Sequence, residues 1–287
     1  MKKFTISSYC KINLSLRVIK KLNKKFHKIQ SLITFANLFD KITVKEIKYK
    51  KDKIEFYGKF KKNINSKSNT ITKTLSILRR NGYLINKKFH IKIKKNIPQG
   101  AGLGGGSINS ATLINFLISK YKIKIGQKKI LKLTRNIGSD VPLGIRIKNS
   151  LLLSGNDYLR RFSGKLNLVV VLVNPNIKCF SKKIYSINRQ YSSSYPKKNF
   201  SSFRKLFNIN NIKSDRNDLE KVVFKLYPKI ETLNNFIKVQ ENCLFSRMTG
   251  SGSTCVGYFS KLKSAQKAKR NIRKFFPDYW CETAKTI

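Results

Sequence analysis

Five of the fifteen glycines in this 287-residue chain fall within eight positions, Gly100-Ala101-Gly102-Leu103-Gly104-Gly105-Gly106-Ser107. Residues without a Cβ weaken helix and strand interiors alike, so the segment must be a loop, one whose backbone N–H groups can approach an oxyanion closely. An apolar-periodic run follows and predicts a helix from about Ser107 to Tyr121, whose positive end would face the same anion. The segment reads as a phosphate cradle, with Ser107 placed to cap the helix or to reach a phosphate or a Mg²⁺ ion.

Spacing separates three kinds of phosphate loop. A Walker A loop ends in Gly-Lys-Ser/Thr, and no lysine occurs between Gly100 and Lys120, which removes it. A dinucleotide-binding G-x-G-x-x-G is matched at Gly100, Gly102 and Gly105. The strand before it alternates with lysines, however, and no carboxylate follows about twenty residues on, where a ribose partner belongs. The third kind, Pro-x-x-x-Gly-Leu-Gly followed by small residues and a helix, fits from Pro98 through Ala111.

Composition bounds the rest. Sixty-two Lys plus Arg against 13 Asp plus Glu give a formal charge of +49, while 40% hydrophobic and 11% aromatic residues are too many for a disordered polycation. Basic residues run from Lys2 to Lys285 without a tail or stripe, beside abundant Ile, Asn, Phe and Tyr. That pattern fits the codon bias of an AT-rich genome better than a nucleic-acid interface, although the field still draws in anionic ligands. The apolar stretch 168–173 is far shorter than the ~20 residues that cross a bilayer, and Met1-Lys2-Lys3 is not followed by a signal-peptide core. Cysteines at 10, 179, 243, 255 and 281 suggest neither a disulfide framework nor a zinc site. These features predict a reduced, cytoplasmic, globular protein with no membrane segment, no resident metal site and no specific nucleic-acid partner.

Alternation predicts a strand or hairpin over 4–19 and strands over 41–48, 53–57 and 89–94, while helical spacing marks 69–80 and 127–137. Further on, the pattern predicts a strand over 168–173, a polar Ser-rich surface loop over 188–202, and helices over 216–226, 228–239 and 262–275. Strands over 243–249, 253–259 and 278–285 complete the reading. Strands and helices mix without βαβ alternation, so the class is α+β. A boundary near 156–164 divides the chain into domains 1–158 and 159–287.

With so few acids, a group that could activate a hydroxyl comes from a short list. Asp140 stands out within Gly138-Ser139-Asp140-Val141-Pro142, after a turn and before a proline, between the glycine-rich segments. Lys11 is the only charge in the half-apolar stretch 9–16. A lysine near a carboxylate favours its ionised form and steadies a developing alkoxide, while the carboxylate orients or accepts the hydroxyl proton. Neither His27 nor His90 sits beside a nucleophile elbow or in a metal-ligand cluster.

The segment from Pro98 to Ala111 resembles the second motif of the GHMP small-molecule kinases. Cys10-Lys11-Ile12-Asn13-Leu14 is similar to their first motif, usually Pro-Ala-Lys-Ile-Asn-Leu, and Met248-Thr249-Gly250-Ser251-Gly252-Ser253 to their third. The resemblance spans nearly the whole chain. It implies a two-domain GHMP kinase fold, with an N-terminal domain like domain 2 of ribosomal protein S5 and a C-terminal ferredoxin-like α/β sandwich, as a monomer or homodimer. It implies ATP and Mg²⁺ as cofactors, Lys11 and Asp140 as catalytic residues, and a nucleotide site made by Pro98, Gly100, Ala101, Gly102, Leu103, Gly104, Gly105, Gly106 and Ser107. Lys95, Asn69 and Asn109 would line the adenine and ribose side.

Phe26-His27-Lys28-Ile29-Gln30-Ser31 points to the branch of that family whose small-molecule acceptor carries a cytidine diphosphate and is phosphorylated on a 2-hydroxyl in the non-mevalonate isoprenoid route. By that resemblance His27 would hydrogen-bond the cytosine, with Phe26 stacked on one face and Tyr185 on the other. Asn13, Thr249, Gly250, Ser251 and Gly252 would hold the rest of the acceptor. The chain departs from the usual pattern at Tyr9-Cys10 for Pro-Ala, Phe26 for Tyr, and Ile108 for a second Ser after the triple glycine. Two rivals are another GHMP kinase, independent of residues 26, 27 and 185, and a basic RNA-binding protein, which leaves the third glycine loop unexplained.

Overall fold

A computed structural model of the chain describes residues 2–23, 27–62, 64–153, 158–195 and 204–287. Two compact units emerge, neither contiguous in sequence. Met1–Cys10, Leu38–Gln99 and Gly104–Ile147 form the first, and Lys11–Asn37, Gly100–Leu103 and Lys148–Ile287 form the second.

The strands β1 (Lys3–Asn13), β2 (Arg17–Lys21) and β3 (His27–Ile47) lead into β4 (Lys53–Tyr57) and β5 (Lys88–Lys94). In the first unit the second half of β3 pairs antiparallel with β5, from Lys41 opposite Lys94 to Ile47 opposite Lys88, and β4 joins β5 in parallel. β5 alternates as its sequence predicts, with Phe89, Ile91 and Ile93 buried. These side chains, with Ile42 and Val44, form one core with Ile71, Leu75 and Leu78 of α1 (Thr70–Arg80) and Leu113, Ile114 and Leu117 of α2 (Gly105–Lys120).

Local signals explain where the helices begin and end. The Asn69 side chain accepts the amides of Ile71 and Thr72, and Thr72 Oγ1 accepts the Asn69 amide in return, a capping box at the start of α1. Arg79 and Arg80 lie in its last turn, where cations suit the helix dipole. The helix α3 (Gln127–Ile137) follows as predicted, and Pro142 stands in the first turn of the short 3₁₀ segment Val141–Ile145.

In the second unit the first half of β3 pairs with β2 and with β6 (Asn149–Leu153), and β6 pairs with β7 (Tyr158–Phe162). A separate antiparallel sheet has the order β11-β8-β10-β9, built from β8 (Val169–Asn174), β9 (Phe245–Met248), β10 (Cys255–Phe259) and β11 (Trp280–Lys285). Val169, Val171 and Val173 pack on Ile230, Leu233 and Ile237 of the helix Pro228–Lys238 and on Ala265, Ala268 and Ile272 of the helix Leu262–Phe275. No helix among the described residues is long and apolar enough to cross a membrane.

Several expectations need correction. β3 spans 21 residues, of which alternation predicts only the end, because Gln30 through Ala36 are all buried and leave no period of two to read. The predicted helix over 216–226 begins only at Glu220, and the four residues before it are irregular. Residues 188–195 of the Ser-rich stretch are no plain surface loop, and 196–202 lie outside the described residues. Ser192 is only 6% and Tyr195 only 5% exposed.

Candidate active site

Three segments far apart in sequence meet within the second unit. The end of β1 carries Lys11 and Asn13 inside, each only 5% exposed. The Lys11 amide donates to the Leu103 carbonyl at 3.0 Å, and the Lys11 ammonium donates to Asn13 Oδ1. The Asn13 amide donates to Thr249 Oγ1 at 2.9 Å and its side-chain NH₂ to Ser31 Oγ at 2.8 Å. Thr249 Oγ1 also reaches the Gly102 carbonyl at 3.3 Å. Ala101 and Leu103 are buried and anchor the loop on either side of Gly102.

The glycines here are required by contact as well as by conformation. Gly102 has φ +76°, and a Cβ on it would overlap the Thr249 carbonyl. A Cβ on Gly250 would come within 3.3 Å of Asn13 Oδ1 and of Gly102 Cα. Gly252, at φ +84°, has Met248 Sδ in the space a side chain would need. Hydrogen bonds from the Gly252 amide to the Thr249 carbonyl and from the Thr249 amide to the Thr254 carbonyl close the turn. The amides of Gly250 and Ser251 find no acceptor in the chain among the described residues. The Ser251 hydroxyl shares a 2.6 Å hydrogen bond with Ser181. Adjacent unsatisfied amides beside a buried ammonium form a place for an anion.

In the first unit α2 begins at Gly105, two residues before the predicted start, because Gly104 takes the left-handed conformation (φ +67°) at the N-cap. Ser107 therefore lies inside the first turn and does not cap it. No side chain caps this helix, so its first-turn amides are left for a ligand. Ser107 Oγ lies 3.6 Å from where a Cβ on Gly138 would be, which brings the turn carrying Asp140 against the start of α2. Asp140 is half-buried, and its carbonyl accepts the Leu143 amide at 3.2 Å. Ile108 is fully buried, and its methyls lie within 3.3 Å of a Cβ placed on Gly144. The position where the family usually has a second serine is here part of the core.

Lys95 and Asn109 belong to a buried network that sequence reasoning did not foresee. Asp40, fully buried, receives Lys95 Nζ, the Asn96 amide at 2.7 Å, the Ile97 amide at 3.0 Å and Asn109 Nδ2 at 3.1 Å. The Lys95 ammonium, so neutralised, sits 3.3 Å from a Cβ placed on Gly105. Asn109 Oδ1 is buried and has no partner among the described residues. The Asn69 side chain is committed to capping α1, and buried Pro98 stands just before the turn at residues 99–100 that opens the glycine loop.

His27 and Tyr185 stand together in the second unit, ring centroids 5.4 Å apart and inclined by 33°. Burial, and then the neighbouring Lys21 charge, lower the His27 pKa, so the ring is neutral near pH 7 and offers both a donor and an acceptor. Phe26 lies outside the described residues. Among those residues no three His, Cys, Asp or Glu side chains cluster to hold a metal.

The model of the GHMP kinases N terminal domain matches residues 69–146, and that of the GHMP kinases C terminal matches residues 193–278. The chain is 44% identical to a 4-diphosphocytidyl-2-C-methyl-D-erythritol kinase of Pelagibacter ubique, over 100% of both chains. It is 31% identical to the kinase of the same name from a Wolbachia of Drosophila simulans, over 99% of each. Among solved structures, a 4-(cytidine 5'-diphospho)-2C-methyl-D-erythritol kinase superposes with a TM-score of 0.79 at 21% identity, covering 98% of this chain and 99% of that one. A mevalonate kinase superposes with a TM-score of 0.68 at 13% identity, covering 99% of each.

Proposed function

The chain belongs to the GHMP kinase family, and from that premise we infer that it transfers the γ-phosphoryl group of ATP to the 2-hydroxyl of 4-diphosphocytidyl-2-C-methyl-D-erythritol, in the non-mevalonate route to isoprenoid precursors. The observation that carries this reading is a relative of that name, 44% identical across the full length of both chains. The meeting of Lys11, Asn13, Gly102 and Thr249 in one unit supports it.

Phosphoryl transfer asks a protein mainly for positioning and for charge placed where charge develops. The uncapped first turn of α2 and the loop leading into it would receive the ATP phosphates, with Ser107 as a hydroxyl donor and Lys95, Asn69 and Asn109 toward the adenine and ribose. Ser107 would help to hold Mg²⁺ there, and the ion would supply positive charge to the phosphates. Asp140 would orient the acceptor hydroxyl and take its proton, and Lys11 would steady the oxygen as it becomes nucleophilic. The acceptor diphosphate would lie on the amides of Gly250 and Ser251, beside Thr249, Gly252 and Asn13. His27 and Tyr185, with Phe26, would hold its cytosine.

We place this activity in the cytoplasm, where the five cysteines, none of them in a disulfide, would remain reduced. We keep 1–158 and 159–287 as the division between the two family domains. The test is ATP-dependent phosphorylation of the cytidine diphosphate acceptor by the purified protein with Mg²⁺, beside mevalonate, homoserine and a control without acceptor. Turnover of the cytidine compound alone is the expected result. Turnover of mevalonate or homoserine instead would move the protein to another branch of the family.

A further inference from the structure

Three of the chain's 13 acids fall within six residues, Asp215-Arg216-Asn217-Asp218-Leu219-Glu220, and the segment belongs to none of the three glycine-bearing motifs. It runs beside the residues that follow Lys11 and Asn13. The Leu16 amide donates to the Arg216 carbonyl at 2.9 Å, and the Asp218 amide donates back to the Leu16 carbonyl at 2.8 Å. From this fixed backbone the side chains reach two ways. Asp218 accepts the Val18 amide at 2.7 Å and the Ser192 hydroxyl at 2.8 Å. Asn217 and Glu220 turn to the third glycine loop.

Asn217 is only 3% exposed, and its side chain makes three hydrogen bonds. Its NH₂ donates to the carbonyls of Met248 and Gly250, both at 2.8 Å, and its Oδ1 accepts the Leu219 amide at 3.1 Å. Glu220 Oε1 accepts the Met248 amide at 2.7 Å. A peptide plane whose carbonyl is held on one side presents its N–H on the other. The Gly250 carbonyl belongs to the peptide that carries the Ser251 N–H, one of the two loop amides without an acceptor.

We propose that Asn217 is a positioning residue for phosphoryl transfer: by holding the Met248 and Gly250 carbonyls it fixes the turn and aims the Ser251 amide at the diphosphate of the acceptor. The inference rests on the acceptor assignment above. It makes no claim that Asn217 touches substrate. An aspartate of the same shape could not serve, since the oxygen replacing the NH₂ would face two carbonyls with no hydrogen to share.

The test combines steady-state kinetics of Asn217→Asp and Asn217→Ala with ¹⁵N amide spectra of the full-length protein titrated with CDP. The KM for the acceptor rises about tenfold or more in both variants, while the KM for ATP changes by less than about threefold. A change confined to folding would instead lower kcat in proportion to the folded fraction and leave both KM values alone. In the wild type the Gly250 and Ser251 amides and the Asn217 NH₂ pair shift together with one affinity, and in Asn217→Asp the loop shifts disappear. Unchanged acceptor KM in a folded variant, or loop amides that respond to CDP while the Asn217 NH₂ does not, would overturn the proposal. Should neither variant fold, the wild-type titration still decides. CDP-induced shifts without turnover of the acceptor would sink the acceptor assignment and leave the clamp standing.

Discussion

A Cβ placed on Gly102 would lie 2.0 Å from the carbonyl oxygen of Thr249, although 147 residues separate the two positions along the chain. The clash is with backbone and not with a side chain that could rotate away. Gly102→Ala must therefore push the two glycine loops apart as well as hold an alanine at φ +76°. The conformation alone costs about 1–3 kcal/mol, and the displacement adds to it. The variant should unfold at a clearly lower urea concentration and lose more than about 100-fold in kcat/KM. Wild-type kinetics would show that the loops have room to adjust.

Asp140→Asn keeps the shape of the turn and removes the charge. Loss of a proton acceptor or orienter lowers kcat on the order of 100-fold, while the Kd for ATP, measured by calorimetry, stays within about threefold of wild type. Equal turnover in mutant and wild type would remove Asp140 from the chemistry.

The Asp40–Lys95 pair is almost completely buried, at 0% and 3% exposure. Asp40→Asn leaves an ammonium in the interior without its counter-charge, which costs roughly 3–5 kcal/mol. Adding Lys95→Met to the same chain removes the stranded charge and should recover part of that loss. Urea denaturation of the single and double variants measures both numbers. A double variant no more stable than Asp40→Asn would show that the backbone amides of Asn96 and Ile97 are the important partners of Asp40.

Glu220 carries a pH dependence. Burial pushes its carboxyl up to about 7, against the hydrogen bond from the Met248 amide and the charge of Arg247. The native protein then binds this proton more tightly than the unfolded chain, whose carboxyl titrates near 4.5. Its contribution to stability is whole below about pH 4.5 and is lost as the pH rises to about 7, by up to about 3 kcal/mol. Glu220→Gln keeps an oxygen for the Met248 amide and should match the wild type near pH 5 while exceeding it at pH 8. Urea midpoints that differ by the same amount at both pH values would rule out titration of Glu220 in that window.

Local chemistry made much of this molecule readable. β5 alternates, α3 keeps its helical period, and the glycine loops and Lys11 announce themselves within a few residues. Features set by distant contacts were not readable. The first half of β3 is buried on both faces, so its residues show no alternation. Tyr195 is one aromatic in a serine-rich stretch, and only the fold supplies its neighbours: Gln30 for its amide, and Ser15 and Asp215 for its hydroxyl. Asn13 and Thr249 are 236 residues apart, and nothing in either segment names the other. Asn217 was hidden for a different reason. The segment around it has the composition of a helix start, and the signal that could have exposed it was the crowding of acids in a chain that has few.

Those acids also bear on how far such a chain can change. Asp40 accepts the amides of Asn96 and Ile97, Asp52 that of Phe89, Asp218 that of Val18 and Glu220 that of Met248. A lysine at any of these four positions would set an ammonium against an N–H donor and leave a backbone amide unmatched. Glu241 pairs with the exposed side chains of Lys267 and Asn242, accepts no backbone amide among the described residues, and carries no such constraint. Lysine can therefore replace acids on the outside of this protein almost freely, but the replacement has a floor. Any descendant still more basic than this one should keep Asp40, Asp52, Asp218 and Glu220 after Glu241 has gone.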